Sequence, residues 1–152
     1  MQQETVAVAL EREHKEIDDA LATFAEHLAN GDRRLDILAP ASTALRRHIY
    51  VEEEFLFPAL RDAGFVAPVF VMLREHGEIW QALDELEDDK HASHRDAYER
   101  LATVLQAHNE KEEAILYPVS DSALQNGQGE RLLDFLAHGT IPPGWVSERL
   151  RQ

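Results

Sequence analysis

Residue types that bind metal recur at matching positions in two similar halves of this chain. Residues 12–21 read REHKEIDDAL and residues 74–83 read REHGEIWQAL, which are identical at seven of ten positions. Residues 48–58 (HIYVEEEFLFP) and 108–118 (HNEKEEAILYP) share the histidine, the two glutamates that begin four residues later, the leucine and the proline. Each half therefore carries one histidine followed, 34 or 32 residues later, by His-x-x-x-Glu. The candidate metal ligands are His14, His48, Glu52, His76, His108 and Glu112.

Helical geometry brings the histidine and the glutamate of each His-x-x-x-Glu motif onto one face. At about 100° per residue, positions four apart differ by roughly 40° and lie one turn above each other. His48 and Glu52 therefore point the same way, and the second motif repeats this relationship. We expect Glu53 and Glu113, one residue further on, to turn away and to be either solvated or placed just outside the ligands.

All six candidate ligands occupy positions where an apolar helical stripe would normally continue. Burying two carboxylates and four imidazoles is unfavourable unless something compensates them, and two divalent cations would do so. A lone histidine on an apolar stripe is more often a hydrogen-bonded core residue. Two His–Glu pairs could also form a buried polar network that fixes helix register. Six such residues related by a repeat favour a metal pair, and imidazole with carboxylate but no thiolate suits iron, manganese or zinc.

The remaining polar candidates are interpreted differently. Four histidines lie outside the repeat, and we expect them on the surface or in the tail: His27, His91, His94 and His138. Asp18, four residues after His14, faces the predicted site, although its counterpart in the second half is Trp80. Asp18 could orient His14, line an entrance to the site, or be a polar residue near a helix surface.

Helical periodicity is the only regular pattern along the chain. Apolar residues follow helical spacing in four segments, at 6–28, 45–59, 69–86 and 101–116. Asn30-Gly31-Asp32 is expected to end the first helix, and Pro58 to kink or loosen the late part of the second. A short apolar helix after Asn126-Gly127 should stop at Gly139. The sequence therefore predicts an all-α fold, an antiparallel up-down four-helix bundle with a short C-terminal helical extension.

Length and tail composition suggest a division of the chain. Its 152 residues can form one domain with a substantial core. We assign residues 1–125 to the bundle and residues 126–152 to a tail. The tail either caps the bundle or contacts a second copy in a homodimer, and its composition does not decide between these roles.

Composition excludes several classes of function. Acidic residues outnumber basic ones 29 to 15, for a formal charge of -14, so we expect no nucleic-acid or anionic-membrane partner. The chain has no cysteine, which excludes disulfide scaffolds, cysteine zinc sites, iron–sulfur clusters and cysteine nucleophiles. No signal peptide or membrane span is evident, and a cytoplasmic location is expected.

The paired motifs resemble the hemerythrin-like, or HHE cation-binding, family over residues 8–120. The resemblance is carried by His14, by His48-x-x-x-Glu52-Glu53 ending in Leu56-Phe57-Pro58, by Glu75-His76, and by His108-x-x-x-Glu112-Glu113 ending in Leu116-Tyr117-Pro118. It implies a non-haem di-iron centre with an oxo or hydroxo bridge, in which Glu52 and Glu112 bridge two irons. One iron would take His14 and His48 and the other His76 and His108, with zinc or manganese as substitutes.

Departures from the oxygen-carrying members of the family refine the expected function. Those members hold a fifth histidine one turn from the third-helix ligand, where this chain has Met72 and Trp80. They also place an aspartate five residues after the fourth-helix histidine, whereas Glu112 follows His108 by four. The four-His, two-Glu set is more similar to bacterial proteins linked to nitrosative stress and iron-centre repair, and to eukaryotic iron-sensing domains.

A site with one imidazole fewer has more open coordination positions. The resemblance therefore implies a protein that reacts with O2, peroxide or nitric oxide in oxidative or nitrosative stress and is re-reduced by an unknown electron donor. Whether it turns over as an enzyme stays open. The alternatives are an iron- or oxygen-sensing or iron-donating module without turnover, and a reversible O2 carrier.

Overall fold

The computed structural model describes residues 4–151, and no β-strand occurs among them. The helices are α1 (Val6–Ala29), α2 (Leu35–Val51), α3 (Phe57–Asp62), α4 (Val66–Glu87), α5 (His94–Lys111), α6 (Tyr117–Ala123) and α7 (Gln128–His138), with a final 3-10 turn at Glu148–Leu150. The all-α prediction is confirmed. None of the helices in residues 4–151 combines the length and the apolar character that crossing a membrane requires.

Local signals in the sequence set several helix ends. The hydroxyl of Thr5 accepts a hydrogen bond from the backbone N–H of Val8 and caps α1, and Ser93 caps α5 in the same way. α1 ends at Ala29, immediately before the predicted Asn30 stop. Gly127 has a φ of 82°, a left-handed conformation that suits glycine, and α7 follows it directly.

The proline in each half follows a short π-helical segment. Glu52–Leu56 joins α2 to α3 and Glu112–Leu116 joins α5 to α6, so each pair forms one continuous rod. The backbone N–H groups of Phe57 and Tyr117 bond to carbonyls five residues back, at Glu52 and Glu112. The predicted loosening near Pro58 therefore takes the form of a widened turn, a rare feature that is often found at functional sites.

Two apolar clusters form the core, and a polar layer lies between them along the helices. On α1 the first cluster includes Leu10 and the second includes Phe24, with His14 between them. The order reverses on the α2–α3 rod, where the second cluster includes Leu45 and the first includes Leu60. α1 packs on α2, and α4 packs on α5. The bundle therefore positions one buried polar layer near the middle of its helices.

Candidate metal centre

Two groups of four metal-ligating side chains meet in the buried polar layer. One group consists of His14, His48, Glu52 and Glu112, and the other of His76, His108, Glu52 and Glu112. Within each group the ligating atoms lie within 4.8 Å of one another. The structure therefore brings together all six side chains that the repeat predicts, and both carboxylates belong to both groups.

Each shared carboxylate lies between histidines of the two halves. Oε2 of Glu52 is 3.4 Å from Nε2 of His48, and its Oε1 is 3.0 Å from Nε2 of His76. Glu112 lies at 3.2 Å from Nε2 of both His14 and His108. A metal ion held by either histidine pair would thus share both carboxylates with its neighbour.

The internal repeat is visible in the ring geometry. The ring centroids of His14 and His48 are 4.8 Å apart with planes inclined at 49°, and the rings of His76 and His108 have the same separation and inclination. The two halves therefore build equivalent histidine pairs.

The other ring nitrogen of each histidine faces a carboxylate from a neighbouring helix; we call these four the outer carboxylates. Their oxygens lie 2.8–3.2 Å from the Nδ1 atoms, in the pairs His14–Glu113, His48–Glu13, His76–Glu53 and His108–Glu75. A carboxylate that accepts from Nδ1–H fixes the tautomer and leaves the lone pair of Nε2 free for a metal. All four imidazoles are thus oriented with Nε2 toward the shared carboxylates.

Charged neighbours hold two of the outer carboxylates in turn. Nη2 of Arg47 lies 3.3 Å from Oε2 of Glu13, and the ammonium of Lys111 donates to Glu75. Burial of Glu75 acts to raise its pKa, but the hydrogen bonds from His108 and Lys111 outweigh it and lower the pKa below its usual value. Glu75 is therefore an ionised acceptor at neutral pH.

In the metal-free protein, burial and nearby opposite charges shift the pKa values of the candidate ligands in opposite directions. Burial acts to lower the pKa of His48, yet Glu52 and Glu13 hold it well above its usual range. Burial also acts to lower the pKa of His108, but neighbouring carboxylates, Glu112 above all, raise it to about 10. Burial acts to raise the pKa of Glu52, but His48 and other neighbours keep it well below its usual range. Without metal, His48 and His108 therefore carry positive charge that balances the shared carboxylates.

Tyr117 adds a phenol to one half of the centre only. Its oxygen lies 2.6 Å from Oε2 of Glu52, 3.0 Å from Nε2 of His14 and 3.1 Å from Nε2 of His48. Burial, then the nearby carboxylates, raise the pKa of Tyr117 well above its usual value, so the phenol keeps its proton. Its counterpart Phe57 stacks on His76 and offers no hydroxyl.

The donor set fits a pair of metal ions. Both carboxylates and all four histidines are buried, and Oε2 of Glu112 has no hydrogen-bond partner. An unpartnered buried carboxylate oxygen is unfavourable unless a cation compensates it. Nitrogen and oxygen donors without sulfur match iron, manganese or zinc.

The other predicted residues lie elsewhere. Within residues 4–151 neither group of ligating side chains includes any of the remaining histidines, which are half-buried or exposed: His27, His91, His94 and His138. Asp18 is exposed and lines an open cleft of about 450 Å³ together with Glu113 and Tyr98. Partial burial of its carboxyl group against the wall of this cleft raises the pKa of Asp18. Met72 and Trp80 are buried in the apolar clusters, on either side of the polar layer along α4.

Three contributors to the site were not predicted, although each stands at a position that the repeat matches in the other half. Glu13 and Glu75 occupy the same position in the R-E-H sequences of the two halves, immediately before His14 and His76. Tyr117 is matched by the aromatic Phe57.

An all-helical protein with two overlapping His2Glu2 groups in its core belongs to the class of helical metal-binding proteins. The particular family follows from comparison with known sequences. Residues 5–120, most of the chain, match the hemerythrin HHE cation binding domain. The chain belongs to this family. Comparison with curated proteins and with solved structures finds no significant match.

Proposed function

We propose that this protein is a non-haem di-iron protein that reacts with O2, peroxide or nitric oxide as part of an oxidative or nitrosative stress response. The observation that carries the proposal is the sharing of both carboxylates, Glu52 and Glu112, between two buried groups of ligands. Such sharing suits two ions held side by side. Iron is the expected metal, bridged by oxo or hydroxo, with zinc or manganese as substitutes.

The ligand count favours reaction over storage of O2. Each group offers two histidines and two shared carboxylates, and the neighbouring positions that a fifth histidine would take are Met72 and Trp80. Four protein side chains per ion leave positions open to small ligands. The bound irons would supply reversible one- and two-electron chemistry for such ligands.

The side chains around the ions would hold protons and orient ligands. The four outer carboxylates hold the imidazoles with Nε2 inward. Tyr117 keeps its phenolic proton, which it donates to Oε2 of Glu52, and its oxygen lies beside Nε2 of His14 and His48. If bound metal takes up that carboxylate oxygen, the phenol would be free to donate to a ligand entering that half. The apolar clusters on both sides limit access of water to the polar layer.

The proposal also includes the arrangement of the helices, the partners and the location of the protein. The reversal of the two apolar clusters between α1 and the α2–α3 rod supports the antiparallel up-down four-helix arrangement. The formal charge of -14 supports the absence of nucleic-acid and membrane partners. A cytoplasmic location and an unidentified electron donor fit this chemistry, and the homodimer stays a prediction.

The first test is the iron content and the ultraviolet–visible spectrum of freshly purified protein. We expect two irons per chain and the charge-transfer bands of a bridged diferric centre. Stopped-flow mixing of the reduced protein with O2, peroxide and nitric oxide separately then identifies the ligand. A stable, reversible O2 adduct without turnover would assign the protein to O2 carriage and overturn the proposal.

A second candidate function is an iron- or oxygen-sensing or iron-donating module without turnover. It is favoured by one observation: the tail contacts Glu53, which in turn hydrogen-bonds His76. A change at the metal would therefore reach the surface of the molecule. Hydrogen exchange of residues 126–152 should then differ between the reduced and the oxidised protein, and equal exchange would exclude this candidate.

A further inference from the structure

The C-terminal tail closes over one histidine pair of the centre. Its Ser147 hydroxyl donates to Oε2 of Glu53 at 2.5 Å, and the backbone N–H of Glu148 donates to Oε1 at 2.8 Å. The same Oε2 lies 2.8 Å from Nδ1 of His76. Ser147 is fully buried. One serine of the tail thus hydrogen-bonds the carboxylate that orients a candidate ligand.

Further contacts fix the tail at this place. The indole Nε1 of Trp145 donates to Glu54 at 3.0 Å, and Arg151 pairs with the same carboxylate and lies over the Trp145 ring. Trp145 packs edge-on against Tyr50. The position of Ser147 is therefore set by the packing of the residues around it.

The equivalent carboxylate of the other half has no such cover. The side chain of Glu113 is 44% exposed, whereas that of Glu53 is 3% exposed. Glu113 accepts from His14 at 3.2 Å and borders the open cleft that also contains Asp18. The two halves are equivalent in their ligands and differ in what holds the outer carboxylate.

A departure from the internal repeat marks the docking site of the tail. Gly77 replaces the lysine that stands at the corresponding position of the first half, Lys15. A Cβ atom at Gly77 would lie 3.3 Å from Cβ of Arg149 and 3.9 Å from Cδ2 of Leu150. Gly77 is helical and its φ is not positive, so a turn does not require glycine here. The close passage of residues 149–150 explains it.

We propose that Ser147 is a positioning residue that acts through Glu53 on His76 and makes the two metal pockets unequal. By holding Glu53 as an acceptor for Nδ1–H, Ser147 keeps Nε2 of His76 directed at the shared carboxylates. The pocket of His76 and His108 therefore binds its ion more tightly than the pocket of His14 and His48. This inference rests on the metal centre proposed above.

The test uses Co²⁺ as the probe and the chain of 152 residues in two backgrounds. The double variant H14A/H48A keeps only the histidine pair beneath the tail, and H76A/H108A keeps only the other pair. In each background, Ser147→Ala is compared with Ser122→Ala, which removes an exposed hydroxyl that donates only to the carbonyl of Val119. The Co²⁺ dissociation constant is measured by competition with a chelator.

We expect Ser147→Ala to weaken Co²⁺ binding about 10-fold in H14A/H48A and to leave the dissociation constant of H76A/H108A unchanged. A 10-fold loss is the lower end of the effect of removing an outer hydrogen-bond partner of a metal ligand. Adding Glu53→Gln should remove the effect of Ser147→Ala, because the serine acts through that carboxylate. Equal weakening in both backgrounds, or none in H14A/H48A, overturns the inference. Failure of the unsubstituted chain to bind two Co²⁺ ions overturns the metal centre itself.

A second variant covers the case in which Ser147→Ala does not fold. Gly77→Lys introduces the residue of the first half, improves helix propensity and replaces no candidate ligand. Its side chain would extend from a Cβ atom only 3.3 Å from Cβ of Arg149, and we expect it to push the tail away. It should weaken Co²⁺ binding in H14A/H48A and not in H76A/H108A. An unchanged constant in H14A/H48A contradicts the inference.

Discussion

The phenol of Tyr117 donates a hydrogen bond of 2.6 Å to Oε2 of Glu52, a carboxylate common to both groups of candidate ligands. Phe57 occupies the same place in the other half and carries no hydroxyl. The phenol oxygen is therefore one departure from the approximate two-fold repeat of the centre, and it lies beside the histidines of the first half only.

Replacing Tyr117 with phenylalanine should destabilise the metal-free protein more than the metal-loaded protein. The variant removes the phenol donor from the buried oxygen Oε2 of Glu52, which costs about 1–3 kcal/mol of unfolding free energy. Bound metal ions would satisfy the same oxygen and reduce the loss. Denaturant unfolding with and without metal measures both values. Tyr50→Phe is the control, and an equal loss in both states would contradict a metal site beside this phenol.

Removing either shared carboxylate should abolish binding of the metal pair. Glu52→Ala and Glu112→Ala each remove a donor from both groups at once, so the effect is not confined to one ion. His27→Ala and His94→Ala remove histidines that belong to neither group, and they should retain two ions per chain. Metal content after dialysis checks this, and equal content in all four variants would refute the ligand assignment.

The helices and the six candidate ligands could be predicted because they depend on local periodicity and on the internal repeat. His48 and Glu52 are four residues apart, which places them on one face of any helix. The tail contact could not be predicted. Ser147 and Glu53 are far apart in sequence, and no pattern marks their pairing except the replacement of a lysine by Gly77.

The role of Tyr117 could not be predicted because it depends on a departure from α-helical geometry. Five residues at about 100° each would place Tyr117 roughly 140° from Glu112, away from the ligands. The π-helical segment widens the turn, and the phenol lies 3.2 Å from Oε1 of Glu112. Glu13 and Glu75 were missed for a different reason, since each orients a histidine on a neighbouring helix.

Neutralising an outer carboxylate should weaken metal binding without removing a ligand. Glu13→Gln and Glu75→Gln retain the shape of the side chain but lose the charge that holds Nδ1–H of His48 or His108. Loss of such partners lowers metal affinity about 10–100-fold. Chelator competition measures the change, and Glu78→Gln, at an exposed position of α4, is the control. Affinities equal to that control would show that the outer carboxylates do not tune the site.

The stability of the metal-free protein should fall as the pH rises above neutrality. The pKa of His108 is about 10 in the folded protein and 6.5 without its folded-state neighbours, as in the unfolded chain. The stabilisation that protonated His108 provides is therefore complete below pH 6.5 and is lost as the pH rises through about 10. The lowered pKa of Glu52 gives stability above pH 4.5 that is lost on acidification. Unfolding free energy should therefore be highest between pH 4.5 and 6.5.

Metal binding should reverse this dependence, because a metal ion requires neutral imidazole. Protons that His48 and His108 hold in the metal-free protein must leave when the ions bind, so affinity rises with pH up to about 10. Calorimetric titration at pH 7.0 in buffers of different ionisation enthalpy counts the protons released, and we expect more than one per chain. Between pH 6.5 and 9 the unfolding free energy should then fall for the metal-free protein and hold or rise for the metal-loaded one. Parallel pH profiles, or no proton release, would mean that the histidines are not the ligands.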